Sequence, residues 1–234
     1  MTNELDERSR YYDRMVEGAS WDARTNSHET ERRLRLVFDD LLADRDLRGA
    51  RLLDGGSGGG HFSAEASRRG ARVTSLDVGP NVLAEVAKRC ESERVVGSIL
   101  EIPFPDGAFD VVLSTEVIEH TPDPERGVRE LCRVVKPGGT LVLTAPNRLW
   151  QPVVRLATTL GLRHYSGYEN FLWAHRARAL VRDSGLVVER FLGFNVLPLF
   201  DRRFEPLLAL ADRRLGEAVP DGFVNFAIRA RRPG

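Results

Sequence analysis

The sequence predicts an α/β fold: a mostly parallel sheet with helices on both faces. Three observations predict it. Between residues 50 and 145, short aliphatic runs alternate with stretches of helical periodicity, which is the pattern of repeated βαβ units. The run Arg51-Leu52-Leu53-Asp54 breaks into Gly55-Gly56-Ser57-Gly58-Gly59-Gly60, an apolar strand entering a glycine turn ahead of a helix. Arg72-Val73-Thr74-Ser75-Leu76-Asp77 is a second strand ending in an acid.

Strands are expected at 50–54, 71–77, 94–97, 109–114, 139–145, 186–193 and 223–230, and helices at 60–69, 80–90, 124–135 and 174–184. The 124–135 helix carries Val128, Leu131, Cys132 and Val135 on one face, and Lys136-Pro137-Gly138-Gly139 stops it. Ahead of the first strand, Tyr11, Tyr12, Met15 and Trp21 precede a break at Thr25-Asn26-Ser27. A helix over about 29–43 then places Leu34, Val37, Phe38, Leu41 and Leu42 on one face. Its aromatic neighbours either line a substrate mouth or pack on the sheet.

The chain reads as one domain, 1–234, in three parts: an N-terminal helical lid at 1–48, a ligand-binding core at 49–147, and two inserts with the last two strands at 148–234. The inserts, 148–170 and 196–216, are rich in aromatic and aliphatic residues, and the second is broken by Pro198 and Pro206. Trp150, Tyr165, Tyr168, Phe171, Trp173, Phe194, Leu197, Leu199 and Phe200 are expected to form an apolar acceptor pocket or lid. The alternatives are core packing or a surface for a membrane or a second subunit.

Composition narrows the function. The 234 residues are 42% hydrophobic, and 34 Lys plus Arg balance 34 Asp plus Glu. A zero net charge speaks against a nucleic-acid binder, which needs a basic face. Cys90 and Cys132 are not spaced as metal ligands and suit a reducing compartment. The N-terminus is charged, unlike a secretory signal, and no apolar run reaches spanning length. A cytoplasmic protein is expected.

The glycine spacing selects the ligand. A dinucleotide loop, Gly-x-Gly-x-x-Gly, counted from Gly56 needs glycine at 61, where His61 stands. The spacing present is Asp54-x-Gly56-x-Gly58-x-Gly60. With Asp77, Pro103-Phe104-Pro105-Asp106-Gly107-Ala108-Phe109-Asp110 and Val134-Val135-Lys136-Pro137-Gly138-Gly139-Thr140-Leu141, it resembles the class I S-adenosylmethionine (SAM) methyltransferases over about 50–147.

That resemblance implies a Rossmann-like sheet of seven strands, ordered 3-2-1-4-5-7-6, the last strand antiparallel, with N-terminal helices and a cap insert after strand 5. It implies SAM as cofactor, held by Asp54, Gly56, Gly58, Gly60 and Asp77, with Ser98, Ile99 and Thr115 beside it. Asp77 would accept the ribose hydroxyls; its other reading is a cap for the helix at Gly79-Pro80-Asn81. Arg35 is the candidate for the cofactor carboxylate. Ser98 departs from the family, which often has an acid there against the adenine amino group. A hydroxyl accepts that bond more weakly.

The reactive edge is expected at Ser114-Thr115-Glu116-Val117-Ile118-Glu119-His120, at the carboxyl end of the fourth strand. If it turns helically, Glu116, Glu119 and His120 share one face. The run is similar to that of ubiquinone-biosynthesis O-methyltransferases and of small-RNA 2′-O-methyltransferases, both associated with a divalent metal there. Pro122-Asp123-Pro124 favours the quinone-pathway type. Three readings stay open: the trio holds Mg, Mn or Zn; His120 is a general base; or the glutamates cap a turn and His120 is packed. His164 and His175 flank the place of a further family ligand without aligning to it.

The expected activity is methyl transfer from SAM to a hydroxyl of a small aromatic or prenylated metabolite. Alternatives are a sugar or amine acceptor of secondary metabolism, a small-RNA 2′-oxygen, a non-catalytic SAM-binding protein, and a nicotinamide oxidoreductase, which the glycine spacing opposes. The expected partner is a small-molecule acceptor; peripheral membrane contact fits too, and the sequence does not fix the oligomeric state.

Overall fold

A computed structural model describes residues 10–18, 20–24, 27–161, 167–195, 212 and 214–234. Seven strands among them form one sheet: β1 (Arg51–Gly55), β2 (Arg72–Asp77), β3 (Glu93–Val96), β4 (Phe109–Thr115), β5 (Val135–Pro146), β6 (Val187–Phe194) and β7 (Asn225–Arg231). Their order is β3-β2-β1-β4-β5-β7-β6. The first five pair in parallel, and β7 runs antiparallel between β5 and β6.

Alternation along the strands sends neighbours to opposite faces. Leu53 joins Leu76, Val112, Leu141 and Ile228 in one core. Leu52 joins Val37, Phe38, Leu41, Phe62 and Val142 in the other. Helices α4 (His61–Arg68), α5 (Pro80–Ala87), α6 (Pro124–Arg133) and α8 (Ala174–Asp183) cover these faces. Asp123 starts α6 by accepting Arg126 N–H at 3.0 Å, with Pro124 at the first helical position.

The N-terminal part forms α1 (Tyr11–Met15), α2 (Trp21–Arg24) and α3 (Ser27–Leu34). Helix α3 does not run on regularly to 43. It widens into a π-helical stretch, Arg35–Leu41, that buries Val37, Phe38 and Leu41. The break expected at Thr25-Asn26 lies outside the described residues.

Two further differences appear. Lys136-Pro137-Gly138-Gly139 belongs to β5, which starts at Val135; α6 has already ended at Arg133. The insert at 148–170 contains a helix, α7 (Gln151–Thr159), whose aliphatic residues Val153 and Leu156 are exposed. Its apolar period faces solvent, so it does not read as a core helix. No helix among the described residues is long and apolar enough to cross a membrane.

Candidate active site

A cavity of about 1100 Å³ opens at the carboxyl ends of β1, β2 and β4, beneath the N-terminal segment. Open α/β sheets bind ligands at that edge. Gly56, Gly58, Asp77, Ser98, Ile99, Thr115, Glu116 and His120 line it.

The turn after β1 needs its glycines. Gly56 and Gly58 have φ of +82° and +49°, where a Cβ is strained. A Cβ on Gly56 would also collide with the Val117 side chain, and one on Gly58 would lie 2.8 Å from Trp21 Cζ2. Gly60 is placed away from the cavity, as the left-handed N-cap of α4. Ser57 lines the cavity, and its buried Oγ has no hydrogen-bond partner among the described residues.

The two acids divide the work. Asp54 was expected to touch the cofactor, but it does not line the cavity. It is 1% exposed and accepts Ser63 O–H at 2.6 Å, tying β1 to α4. Burial pushes its carboxyl up to about 6; the Ser63 bond opposes the rise and the charge of Asp77 adds to it. Asp77 faces the cavity and also caps. Oδ2 accepts Gly58 N–H at 3.0 Å and Oδ1 accepts Gly79 N–H at 3.1 Å. Burial likewise raises it to about 6, against the pull of those amides.

Helix α5 begins at Gly79, which offers no capping side chain. Asp13 from α1 supplies the cap: Oδ1 accepts the N–H groups of Asn81 at 2.7 Å and Val82 at 3.2 Å. The N-terminal segment is therefore fastened to the helix that follows Asp77. The Trp21 ring packs over the glycine turn, and its backbone N–H donates to Glu85 Oε2 at 3.3 Å.

Arg35 is exposed on the π-helical stretch and does not reach the cavity; Arg33 does. Positions 30, 33, 37 and 41 share the inward face, and 35 falls opposite, so the helical phase of the sequence held this correction.

The segment after β4 departs from the single helical face. Glu116 has φ +55° and only Ile118–His120 form a 3₁₀ turn. The backbone reversal aims Glu116 at the sheet, where it accepts Thr144 O–H at 2.9 Å and Asn225 N–H at 2.6 Å. Glu119 is 2% exposed, and its Oε2 has no partner among the described residues. Burial, then the charge of Glu116, holds Glu119 well above the ordinary carboxylate range. Burial raises Glu116 as well, opposed by Arg33.

His120 sits with one ring nitrogen on each side of the site. Nδ1 lies 2.9 Å from the Tyr168 carbonyl, so Nδ1–H donates there. That tautomer leaves Nε2 as an acceptor, 3.1 Å from the Tyr12 hydroxyl and 3.6 Å from Glu119 Oε1.

The segment does not bring the expected trio Glu116, Glu119 and His120 onto one helical face. Both oxygens of Glu116 are held by protein donors, and no group of three His, Cys, Asp or Glu among the described residues is arranged to hold an ion. His175 is exposed beside Asp221, and His164 lies outside the described residues. The side chains as placed do not fit a resident metal, and no step below uses one.

Only part of the aromatic pocket expected from the inserts lies among the described residues. Phe171 and Phe194 are buried, Trp150 donates to the Gly222 carbonyl, and Trp173 is exposed against His175. None of these lines the cavity; Tyr12, Trp21, Phe62 and Phe104 do. Tyr165, Leu197, Leu199 and Phe200 lie outside the described residues. Sequence reasoning missed Asp13, Ser57, Thr144 and Asn225. Only Asn225 left a trace, a polar residue on the apolar face of the last strand.

This sheet order, glycine turn and strand-ending acid define a nucleoside-binding α/β enzyme. Residues 53–143 match the family described as a methyltransferase domain. The chain is 32% identical over 181 residues to the ubiquinone biosynthesis O-methyltransferase of Pseudomonas putida strain GB-1, covering 71% of this chain and 76% of that one. It is 32% identical over 180 residues to the protein of that name from Xanthomonas oryzae pv. oryzae, covering 70% and 74%. In fold it is similar to the magnesium protoporphyrin IX methyltransferase of Synechocystis solved with S-adenosylhomocysteine, at TM-score 0.62 and 16% identity over 87% of this chain and 83% of that one. A chain in the solved complex of the Haloferax volcanii Trm112 methyltransferase activator with a methyltransferase gives TM-score 0.66 at 20% identity, covering 98% and 99%. The chain belongs to the SAM-dependent methyltransferase family.

Proposed function

We propose that the enzyme moves the methyl group of SAM to a hydroxyl oxygen of a small aromatic or prenylated metabolite, with His120 as general base. The observation that carries this reading is the His120 ring, which lines the cavity with Nδ1–H fixed on the Tyr168 carbonyl and Nε2 in the acceptor form. The relatives named for ubiquinone biosynthesis O-methylation support a hydroxyl acceptor.

The residues present fit the cofactor. Asp77 is a half-buried carboxylate at the strand end, suited to two ribose hydroxyls. The buried Ser57 Oγ, which lines the cavity without a partner among the described residues, suits a polar group of the ligand. Ser98 and Ile99 flank the place for the base, Thr115 lies beside it, and Arg33 takes the carboxylate role first given to Arg35. When bound, SAM supplies a methyl group already activated by its sulfonium. The chain orients the acceptor, keeps water out beneath Trp21 and Tyr12, and takes the acceptor's proton. Glu119 Oε1 lies 3.6 Å from Nε2, where an imidazolium forming on His120 would favour the ionised carboxyl against its burial. Two free cysteines, Cys90 and Cys132, support a cytoplasmic setting.

The test is mass spectrometry of a panel of phenols, catechols, amines and sugars incubated with isotopically labelled SAM. A labelled methyl ether, lost by about 10²–10⁴-fold in His120→Ala, is expected. Labelled amines alone, or an unimpaired His120→Ala, would remove the reading.

A further inference from the structure

We infer that Glu130 and Arg133 are positioning residues for the cofactor. From behind the cavity wall they clamp the loop that receives the base, and so set how tightly and how selectively the nucleoside is held. The inference rests on the reading above that puts the base against Ser98 and Ile99.

Strand β3 ends at Val96 and β4 begins at Phe109, and among the described residues no helix joins them. The chain crosses as a loop, and every residue of 97–104 lines the cavity. Loops of that length without structure of their own need outside support. Pro103 and Pro105 also lack an N–H to contribute. The support comes from α6. Glu130 Oε2 accepts Ile102 N–H at 3.0 Å. Arg133 donates from Nη2 to the Ile102 carbonyl at 3.0 Å and from Nη1 to the Phe104 carbonyl at 2.9 Å. The same guanidinium donates to Asp106 Oδ1 at 2.8 Å and to both oxygens of Glu130, each at 2.8 Å. A guanidinium has five N–H donors in a fixed plane, and here each of them has an acceptor.

The two side chains work as one unit. Three positions apart, they share a face of α6, and between them they hold both the N–H and the carbonyl of Ile102. Arg133 keeps the Glu130 carboxyl below the ordinary carboxylate range, so the pair stays ionised near neutral pH. Packing agrees with the clamp. Ile99, Leu100 and Ile102 are buried, and Gly127 of α6 makes room for Ile99, whose Cδ1 would lie 3.3 Å from an added Cβ. One side of the loop is seated on α6 and the other forms the wall. Neither Glu130 nor Arg133 lines that cavity, so both act through the loop. A wall ordered before the ligand arrives leaves less to order on binding.

The experiment titrates the full-length protein calorimetrically with S-adenosylhomocysteine and with its inosine analogue, in which a carbonyl oxygen replaces the adenine amino group. Wild type should prefer the adenine form. Arg133→Lys keeps the charge but offers three donors on a flexible stem. It should bind S-adenosylhomocysteine about 10-fold more weakly and lose part of that preference. Amide exchange should quicken over 97–104 while β1 and β2 keep their wild-type protection. Glu130→Gln, which keeps the volume and serves if Arg133→Lys folds poorly, should change both readouts in the same direction. The double variant should be no worse than Arg133→Lys alone, because the pair is coupled. Unchanged affinity in both single variants overturns the inference. So does weaker binding with the adenine preference intact, or exchange that quickens throughout the sheet, since either makes the pair a general scaffold. If wild type binds both ligands alike, the base does not face this wall, and the reading beneath the inference fails with it.

Discussion

Glu119 Oε1 lies 3.6 Å from His120 Nε2, while the other oxygen of the same carboxyl is buried and unpaired among the described residues. Such an acid gains most when a cation forms beside it. Glu119→Gln keeps the volume and removes that response. A charge-assisted contact is worth about 1.5–3 kcal/mol. Initial rates should therefore fall roughly 10- to 100-fold, with SAM affinity by calorimetry unchanged. Unaltered turnover would leave Glu119 a packing residue.

If Asp77 takes the ribose as proposed, it should set the pH dependence of cofactor binding. Its carboxyl is raised to about 6 by burial, and ribose hydroxyls favour the ionised form. Affinity for SAM should be flat above about 6 and fall on acidification below it, with proton release on binding near that pH. Calorimetry in two buffers of different ionisation enthalpy measures this. Asp77→Ala should bind about 10- to 100-fold more weakly and lose the dependence.

Asp54 has the same shift with a different consequence, because it is structural. Its folded value, about 6, exceeds the 3.8 of a free carboxyl. The folded state therefore holds the proton more tightly, and stability from this group is lost as pH rises from about 4 through 6. The loss is at most about 3 kcal/mol, two pKa units at about 1.4 kcal/mol each. Urea denaturation at pH 4.5 and pH 7 should show a smaller fall for Asp54→Asn than for wild type. An equal fall in both proteins would assign the dependence to other groups.

Gly58→Ala puts a side chain where φ is +49° and Trp21 closes in. The backbone strain alone is about 1–2 kcal/mol, which lowers Tm by about 2–8 °C in a domain of this size. SAM binding should weaken at the same time, since Trp21 has to move. A thermal-shift series with and without cofactor separates the two effects.

Both oxygens of Glu116 are held by protein donors, Thr144 and Asn225. Turnover should therefore survive dialysis against excess chelator. Activity that vanishes and returns with added magnesium, manganese or zinc would mean that Glu116 leaves the sheet to take an ion.

The fold was largely legible because its signals are local. Alternating apolar runs, the turn at Gly56–Gly60 and the Pro124 start of α6 each lie within a few residues of their cause. The strand order rested on family resemblance and agrees with the pairing observed. Residues that line the cavity were legible where they follow a strand end, at Asp77, Ser98 and Thr115. They were not legible where distant segments meet. Asp13 and Val82 are 69 residues apart, and Tyr12 and His120 are 108 apart; no spacing rule links them. Glu116 misled because its positive φ breaks the i, i+3, i+4 pattern, and non-glycine residues seldom adopt it.

Strand β7 bonds to β5 on one side and β6 on the other, and its first residue, Asn225, holds Glu116. During synthesis it is the last of these elements to appear. Until it does, β5 and β6 have no partner between them, and an unpaired edge invites the wrong neighbour. The glycine turn and Asp77 are made long before. A nascent chain can therefore form its glycine turn and place Asp77 early, while Glu116 waits for β7 to supply Asn225.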